Sequence, residues 1–352
     1  MKMKDFCQDA QIEKEKLEKV IDTLKEQIER DSTLCSFGCP YKIMKKWKSP
    51  KQTARIIANE IILGIEPNDE ISYSTESESV QLEDALLNAQ CIIIKINSPD
   101  EITEISIYKS ILYLKRKKPK IIHISSITSM ISLTYNSKQT AIEICLDDGK
   151  SYFLVFQTTA IRNQVFEAIN NSFNEFKFKL PFIFPTSNQK FVPLSLINSW
   201  KNHKISNFYY ILLLNKMSGC SFNVETQYPI FPRILEDFNY YGSIRNFDHG
   251  YSYSQEPPLF YLQRLDPFYK ISKRNFNDVS QISKKFELTP EFFYLPEFLT
   301  SEIQPQNVVL PKWASSPFDF VYKCRKILES EEVSSNLHKW IDIVWGNYTV
   351  LY

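Results

Sequence analysis

Glycine is scarce in this chain: seven in 352 residues, with no two inside five positions of each other. Phosphate-cradling loops such as GxGxxG and GxxxxGK need closely spaced glycines so that backbone N–H groups can approach the phosphate, and both are excluded. The GxSxG nucleophile elbow is excluded on the same ground. Histidine is scarcer still, and His123, His203, His249 and His338 form no HExxH or comparable pair. The nearest thing to a hydrolytic group is Asp248-His249 beside Ser252 and Ser254. Neighbouring residues of this kind rarely converge, and no oxyanion element accompanies them. The expectation is a protein without catalytic residues and without a cofactor.

Long apolar runs are also missing. The longest, such as Tyr209 to Leu214, is far too short to span a bilayer. The start, Met1-Lys2-Met3-Lys4-Asp5, leads into a charged stretch with no apolar h-region, which argues against a signal peptide. A formal net charge of +1 supplies no global field toward nucleic acid or membranes. A cytoplasmic protein is expected, with no nucleic-acid partner and any membrane contact peripheral, on endomembranes. The seven cysteines are scattered from Cys7 to Cys324, which fits reduced thiols better than a disulfide framework. Only Cys35 and Cys39 are spaced like a metal pair. No histidine precedes His123 to complete the set, so no metal is expected.

What is present is ordinary for a globular protein: 43% hydrophobic and 24% charged residues, in a chain long enough for two domains. Residues 1–64 read as a helical N-terminal extension. Leu17, Ile21, Leu24 and Ile28 recur at helical spacing, and this stripe serves either packing within the protein or oligomerisation. From Tyr41 to Arg55 the chain is basic and aromatic, which suits a solvated helix face or an anionic membrane surface. Residues 65–87, acidic and Ser-rich, read as a linker.

From about Cys91 the period shortens to that of strands. Candidates are Cys91–Ile96, Glu104–Ser110, Ser110–Leu114, Lys120–Ser125, Ser129–Thr134, Ala141–Leu146 and Tyr152–Phe156, with alternation clearest from Thr140 to Leu146. A helix follows, with Ile161, Val165, Phe166 and Ile169 on one face and Thr158 or Thr159 as its N-cap. Short antiparallel strands closed by one helix are the pattern of a pleckstrin-homology (PH)-type barrel, placed at 88–176. The run Lys115-Arg116-Lys117-Lys118-Pro119-Lys120 falls at a strand–strand turn of that barrel. It is a candidate contact for an anionic lipid headgroup through Lys115, Arg116, Lys117 and Lys118, or a charged tip that guards the sheet edge.

The second half carries longer motifs. Ser199-Trp200-Lys201-Asn202-His203-Lys204-Ile205-Ser206-Asn207-Phe208-Tyr209-Tyr210 is followed by Leu214-Asn215-Lys216-Met217-Ser218-Gly219-Cys220-Ser221-Phe222-Asn223 and by Gln227-Tyr228-Pro229-Ile230-Phe231-Pro232. Further on come Arg264-Leu265-Asp266-Pro267-Phe268, Pro290-Glu291-Phe292-Phe293-Tyr294-Leu295-Pro296-Glu297-Phe298-Leu299 and Leu310-Pro311-Lys312-Trp313-Ala314. The last is Leu328 to Asp342, LESEEVSSNLHKWID. In this order the segments resemble a BEACH domain, placed at 190–352. The fold expected is α+β: a PH-like barrel with its C-terminal helix, followed by a mainly α domain with an irregular core. Ser315 or Ser316 should cap a helix begun by Pro317, and Ser334 or Ser335 should open the next.

The resemblance implies a non-enzymatic scaffold or adaptor in vesicle trafficking, lysosome-related organelles or autophagy, with partners in the trafficking machinery. Its candidate binding residues are Trp200, Asn207, Tyr209, Asn215, Gln227, Tyr228, Phe231 and Arg233. The amides among them suit a core of extended segments whose backbone groups lack ladder partners. Three departures stand out. Arg233 occupies a position where the family usually has tryptophan, the stretches around Pro257–Leu262 and Leu299–Leu310 are short, and the chain stops at Tyr352 where a β-propeller commonly follows. A shortened paralogue and a fragment both fit.

Overall fold

The computed structural model describes residues 84–96, 98–146, 150–175, 182–184, 194–247, 259–265, 268, 276–282, 286–300 and 306–346. The expected helical extension, the Leu17–Ile28 stripe, the basic Tyr41–Arg55 stretch, the Cys35–Cys39 pair and the Asp248-His249 pair lie outside the described residues.

Seven strands open the described chain: β1 (Leu87–Ile94), β2 (Glu101–Ile107), β3 (Ile111–Lys115), β4 (Lys120–His123), β5 (Ile127–Tyr135), β6 (Lys138–Leu146) and β7 (Ser151–Phe156). Helix α1 (Thr159–Glu175) follows, and then a short strand, β8 (Phe182–Phe184). The sheet order is β4-β3-β2-β1-β7-β6-β5-β8, antiparallel except for the last pair. Strands β4 and β5 are not paired, so the sheet curls into a half-barrel with one open side. Val165, Phe166, Ile169 and Phe173 of α1 fill that side against Ile105, Leu112, Leu114, Ile142, Ile144 and Leu154. Each such burial contributes roughly 1.5–3 kcal/mol. Thr158 caps the helix, its hydroxyl accepting from the Ile161 N–H at 3.2 Å.

The β5–β6 hairpin turns on Asn136 and Ser137 with φ of 47° and 63°, between the paired Tyr135 and Lys138. Two consecutive positive φ values define the turn whose twist matches a hairpin. Phe182–Phe184, read from its prolines as part of a connector, extends alongside β5 and adds a parallel strand.

The second half is built on α2 (Leu194–Lys201), α3 (Asn207–Met217), α4 (Leu259–Leu262), α5 (Pro317–Leu328) and α6 (Glu331–Trp345). Helix α3 is buried nearly all round, as its run of apolar residues requires. Around it lie extended chain and tight 3-10 turns at Pro290–Phe293 and Pro296–Leu299, each begun by a proline. Aromatic rings fill the space between: Phe208 to Phe231 at 5.0 Å, Phe231 to Phe293 at 5.4 Å and Phe292 to Phe298 at 4.6 Å. The architecture is α+β, a curled antiparallel half-barrel followed by a mostly helical region with an irregular core.

Two boundaries need comment. Ser316 does cap α5, its hydroxyl accepting from the Asp319 N–H at 3.1 Å, with Pro317 in the first turn. The next helix, however, begins at Glu331 rather than at Ser334 or Ser335. Ser330 is its cap, accepting from the Val333 N–H at 3.4 Å. Ser334 lies inside the helix, its N–H donating to the Ser330 carbonyl at 2.8 Å, while its hydroxyl accepts from the Asn207 amide at 2.8 Å. Gly346 ends α6 at φ 78°, a conformation that favours glycine.

Candidate functional site

The two halves meet along one face of the sheet. In β6 the side chains of Ile142 and Ile144 point into the barrel, while Ala141, Glu143 and Cys145 point outward. Alternation alone would put Glu143 in solvent. Instead every residue from Thr140 to Leu146 is buried, because the second half lies across that outer face. Val224 inserts among Ile94, Ile131, Leu133, Ala141 and Phe153. Ile96, beyond the end of β1, packs on the second half's core in return.

Glu143 is the polar centre of this joint. Its carboxylate is fully buried and accepts from the Lys216 ammonium, from the Ser221 hydroxyl at 2.6 Å and from the Asn223 amide at 2.9 Å. The same Asn223 amide donates to the Ser151 hydroxyl at 2.7 Å, and the Gln227 amide donates to the Thr134 carbonyl at 2.9 Å. Burial alone would lower the Lys216 pKa. The Glu143 charge and its hydrogen bond outweigh that and hold the ammonium above its ordinary range. Burial also pushes the neighbouring Cys145 thiol up to about 12, with the Glu143 charge adding to it, so it stays a thiol.

Behind the joint the amides hold the irregular core. Asn207 opens α3 and is almost fully buried. Its oxygen accepts from the Trp200 indole at 2.7 Å, and its nitrogen donates to the Leu328 carbonyl at 2.7 Å and to Ser334. Trp200 stacks flat on Tyr210 at 4.4 Å. Glu329 accepts from the Asn207 and Phe208 N–H groups at 2.7 and 3.1 Å, so a carboxylate from the end of α5 completes the start of α3. Arg325 clamps that carboxylate at 2.9 Å and lies over the Phe208 ring at 4.1 Å.

Asn215 donates to the Ile211 and Ile230 carbonyls at 2.9 and 2.8 Å and accepts from the Ile230 N–H at 2.9 Å. It thus takes the place of the strand partner that the extended segment beside α3 lacks. Phe231 in that segment bridges to Leu288 through paired backbone bonds of 2.8 and 2.9 Å.

Tyr228 donates to Glu291 at 2.8 Å, and Tyr294 donates to the same oxygen at 3.2 Å. Burial raises the Glu291 pKa, while these hydroxyls pull against it. Arg233 is buried and donates to the Leu235 and Glu236 carbonyls at 2.7 and 2.9 Å, with its backbone N–H on Glu287 at 2.8 Å. Where an indole would have one donor, the guanidinium pins a bend. Tyr209 is half-buried against the same core.

Most of the residues singled out from the sequence are therefore brought together, but facing inward. Those missed are Glu143, Lys216, Ser221, Asn223 and Val224. The available signal was a carboxylate in the middle of a strand whose flanks are otherwise apolar. The basic turn stands apart from them. Arg116 pairs with Glu101 through two bonds of 2.7 and 3.0 Å, and Lys115 lies 3.5 Å from Glu104. Among the described residues, no group of three or more His, Cys, Asp or Glu side chains could hold a metal ion, and no helix is long and apolar enough to cross a membrane.

A half-barrel plugged by one helix and fused through a buried polar joint to an irregular-core helical domain defines a two-module protein. Family comparison gives both modules a name. Residues 53–170 match the PH domain associated with Beige/BEACH, and residues 198–253 and 245–350 match the Beige/BEACH domain. The chain carries a BEACH domain and, before it, the PH module associated with that domain. It is 29% identical to BEACH domain-containing protein lvsD of Dictyostelium discoideum over 327 residues, covering 66% of this chain and 11% of that protein. To BEACH domain-containing protein A2 of Arabidopsis thaliana it is 29% identical over 311 residues, covering 64% of this chain and 9% of that protein. The chain thus spans about a tenth of the length of these relatives.

Proposed function

We propose that the chain is a non-enzymatic scaffold or adaptor, acting in intracellular membrane and vesicle trafficking through protein–protein contacts. The observation that carries this reading is the joint at Glu143. A buried ion pair with further amide and hydroxyl donors leaves little freedom between the modules, so a surface spanning both is preorganised for a partner. Residues 88–176 and 190–352 are the two modules. Asn207, Asn215, Gln227, Tyr228, Phe231 and Arg233 act by fixing the shape of that surface, and the half-exposed Trp200 and Tyr209 are the members that could touch a partner. Lysosome-related organelles and autophagy are the processes in which such partners are sought, with the protein cytoplasmic and peripheral on endomembranes.

Proximity labelling in cells with the full chain, in parallel with Lys216→Asp, tests the proposal. The expected result is enrichment of trafficking or cytoskeletal proteins that is lost in the variant, whose joint places two carboxylates together. Recovery of soluble metabolic enzymes alone would overturn it.

A further inference from the structure

The corner between α2 and α3 holds a strained residue where glycine is the usual choice. Helix α2 ends in a Schellman turn. The Asn202 N–H donates to the Asn198 carbonyl at 3.0 Å, the His203 N–H to the Trp200 carbonyl at 2.9 Å and the Lys204 N–H to the Ser199 carbonyl at 2.8 Å. That pattern puts His203 in the left-handed region, at φ 53°. Among the described residues it is the one non-glycine at positive φ outside the β5–β6 turn. Glycine would end the helix without the strain. The imidazole is therefore kept against the backbone's preference, and strain of this kind gathers at binding sites.

Charge at the corner is of one sign. Lys201, Asn202, His203 and Lys204 are all exposed. No aspartate or glutamate stands between Glu175 and Glu225 in the sequence. Among the described residues, neither lysine has a carboxylate within ion-pair distance. Glu329, the carboxylate that does reach this end of α3, is occupied by Arg325 and by the Asn207 and Phe208 N–H groups. Lys201, in the last turn of α2, complements the helix dipole, but His203 and Lys204 lie past the helix end. The half-buried Trp200 indole adjoins them, one face stacked on Tyr210 at 4.4 Å and its N–H held by Asn207 at 2.7 Å.

We propose that this corner docks an acidic segment of a protein partner, its carboxylates on Lys201, His203 and Lys204 and an apolar side chain against the Trp200 ring. Charge complementarity sets the sign of the partner. The preformed turn and the pinned indole lower the ordering cost of binding. A bilayer is a poorer match, because the ring beside the cations is held by face and edge and cannot enter the lipid. The corner lies at the end of α3 away from the Glu143 joint, since Asn207 and Lys216 are about 14 Å apart along the helix. The inference rests on the scaffold reading for the existence of a protein partner, and adds where that partner binds and what charge it carries.

Fluorescence anisotropy of the full chain with two labelled peptides is the test: a phenylalanine flanked by glutamates on both sides, and the same peptide with glutamines. The acidic peptide should bind at least about tenfold more tightly, and added salt should weaken it. Lys201→Glu with Lys204→Glu should reduce binding at least about tenfold, while Lys326→Glu on α5 should leave it unchanged. His203→Gly should raise the melting midpoint and yet weaken binding severalfold, a combination that a merely structural turn would not give. Unaltered melting midpoints establish that the lysine variants are folded. The proposal is overturned by equal binding of the two peptides, by binding that survives the double charge reversal, or by a His203→Gly chain that is no more stable or binds as the parent does. Binding to phosphatidylserine vesicles that the double reversal abolishes would also overturn it, assigning the corner to a membrane. Proximity labelling that recovers the same trafficking proteins with the double variant would sink this site alone and leave the scaffold reading standing.

Discussion

Lys216 in α3 and Glu143 in β6, separated by 73 residues in sequence, form an ion pair in which neither side chain touches solvent. One comes from each module, so the contact reports on how they are joined. A buried pair of this kind costs much in desolvation, and replacing both members by apolar residues is often neutral or better. Removing one leaves an unpaired buried charge. Lys216→Met should therefore destabilise by about 3–5 kcal/mol, while Lys216→Met with Glu143→Met should recover most of that loss. Urea midpoints of the two singles and the double measure this directly. A double variant as unstable as the sum of the singles would show that the pair is not a coupled unit.

Asn207 satisfies a partly buried indole, a buried carbonyl and a hydroxyl at once. Asn207→Ala strands the Trp200 N–H and the Leu328 carbonyl, at about 1–3 kcal/mol each. A loss of about 2–5 kcal/mol in thermal or chemical unfolding is expected. Loss below about 0.5 kcal/mol would mean that water replaces the amide.

Glu291 is buried with a raised pKa, so the folded state keeps a proton that the unfolded chain begins to release near the ordinary value of 4.5. The sign follows from linkage. The native state binds more protons, so this group's contribution to stability falls as pH rises from the unfolded pKa to the folded one, by up to about 1.4 kcal/mol per pH unit. Glu291→Gln keeps an acceptor for Tyr228 and Tyr294 without the titration. The stability of Glu291→Gln relative to the parent should increase with pH across that window and then level off. A difference independent of pH would contradict it.

Ser137 sits at φ 63° in the β5–β6 turn. An L residue other than glycine is strained there by roughly 1 kcal/mol. Ser137→Gly should raise stability by about that amount, read as an increased melting midpoint; a decrease would mean that the hydroxyl makes a contact worth more than the strain.

Much of the fold was legible in local pattern. Alternation over Thr140–Leu146 marks β6, the helical spacing of Val165, Phe166 and Ile169 marks α1, and Ser316-Pro317 marks the start of α5. These signals are short-range, because propensity, capping and periodicity act within a turn or a strand. The start of α6 was misplaced because Ser330 and Ser334 are both competent caps by type. The structure puts the cap at Ser330 and turns the Ser334 hydroxyl to Asn207, more than 120 residues away in sequence.

The candidate site divides in the same way. The ordered motifs from Trp200 to Asp342 by themselves determined the family and the set of amides and aromatics that build its core. They did not determine which of those residues face outward; Asn207, Asn215, Tyr228, Phe231 and Arg233 are all buried. Only the tertiary structure decided that Glu143 is sealed against Lys216, Ser221 and Asn223, and that Arg116 is held by Glu101. The physical reason is that burial of a polar side chain depends on what the rest of the chain lays over it, and a strand or turn carries no local record of that cover.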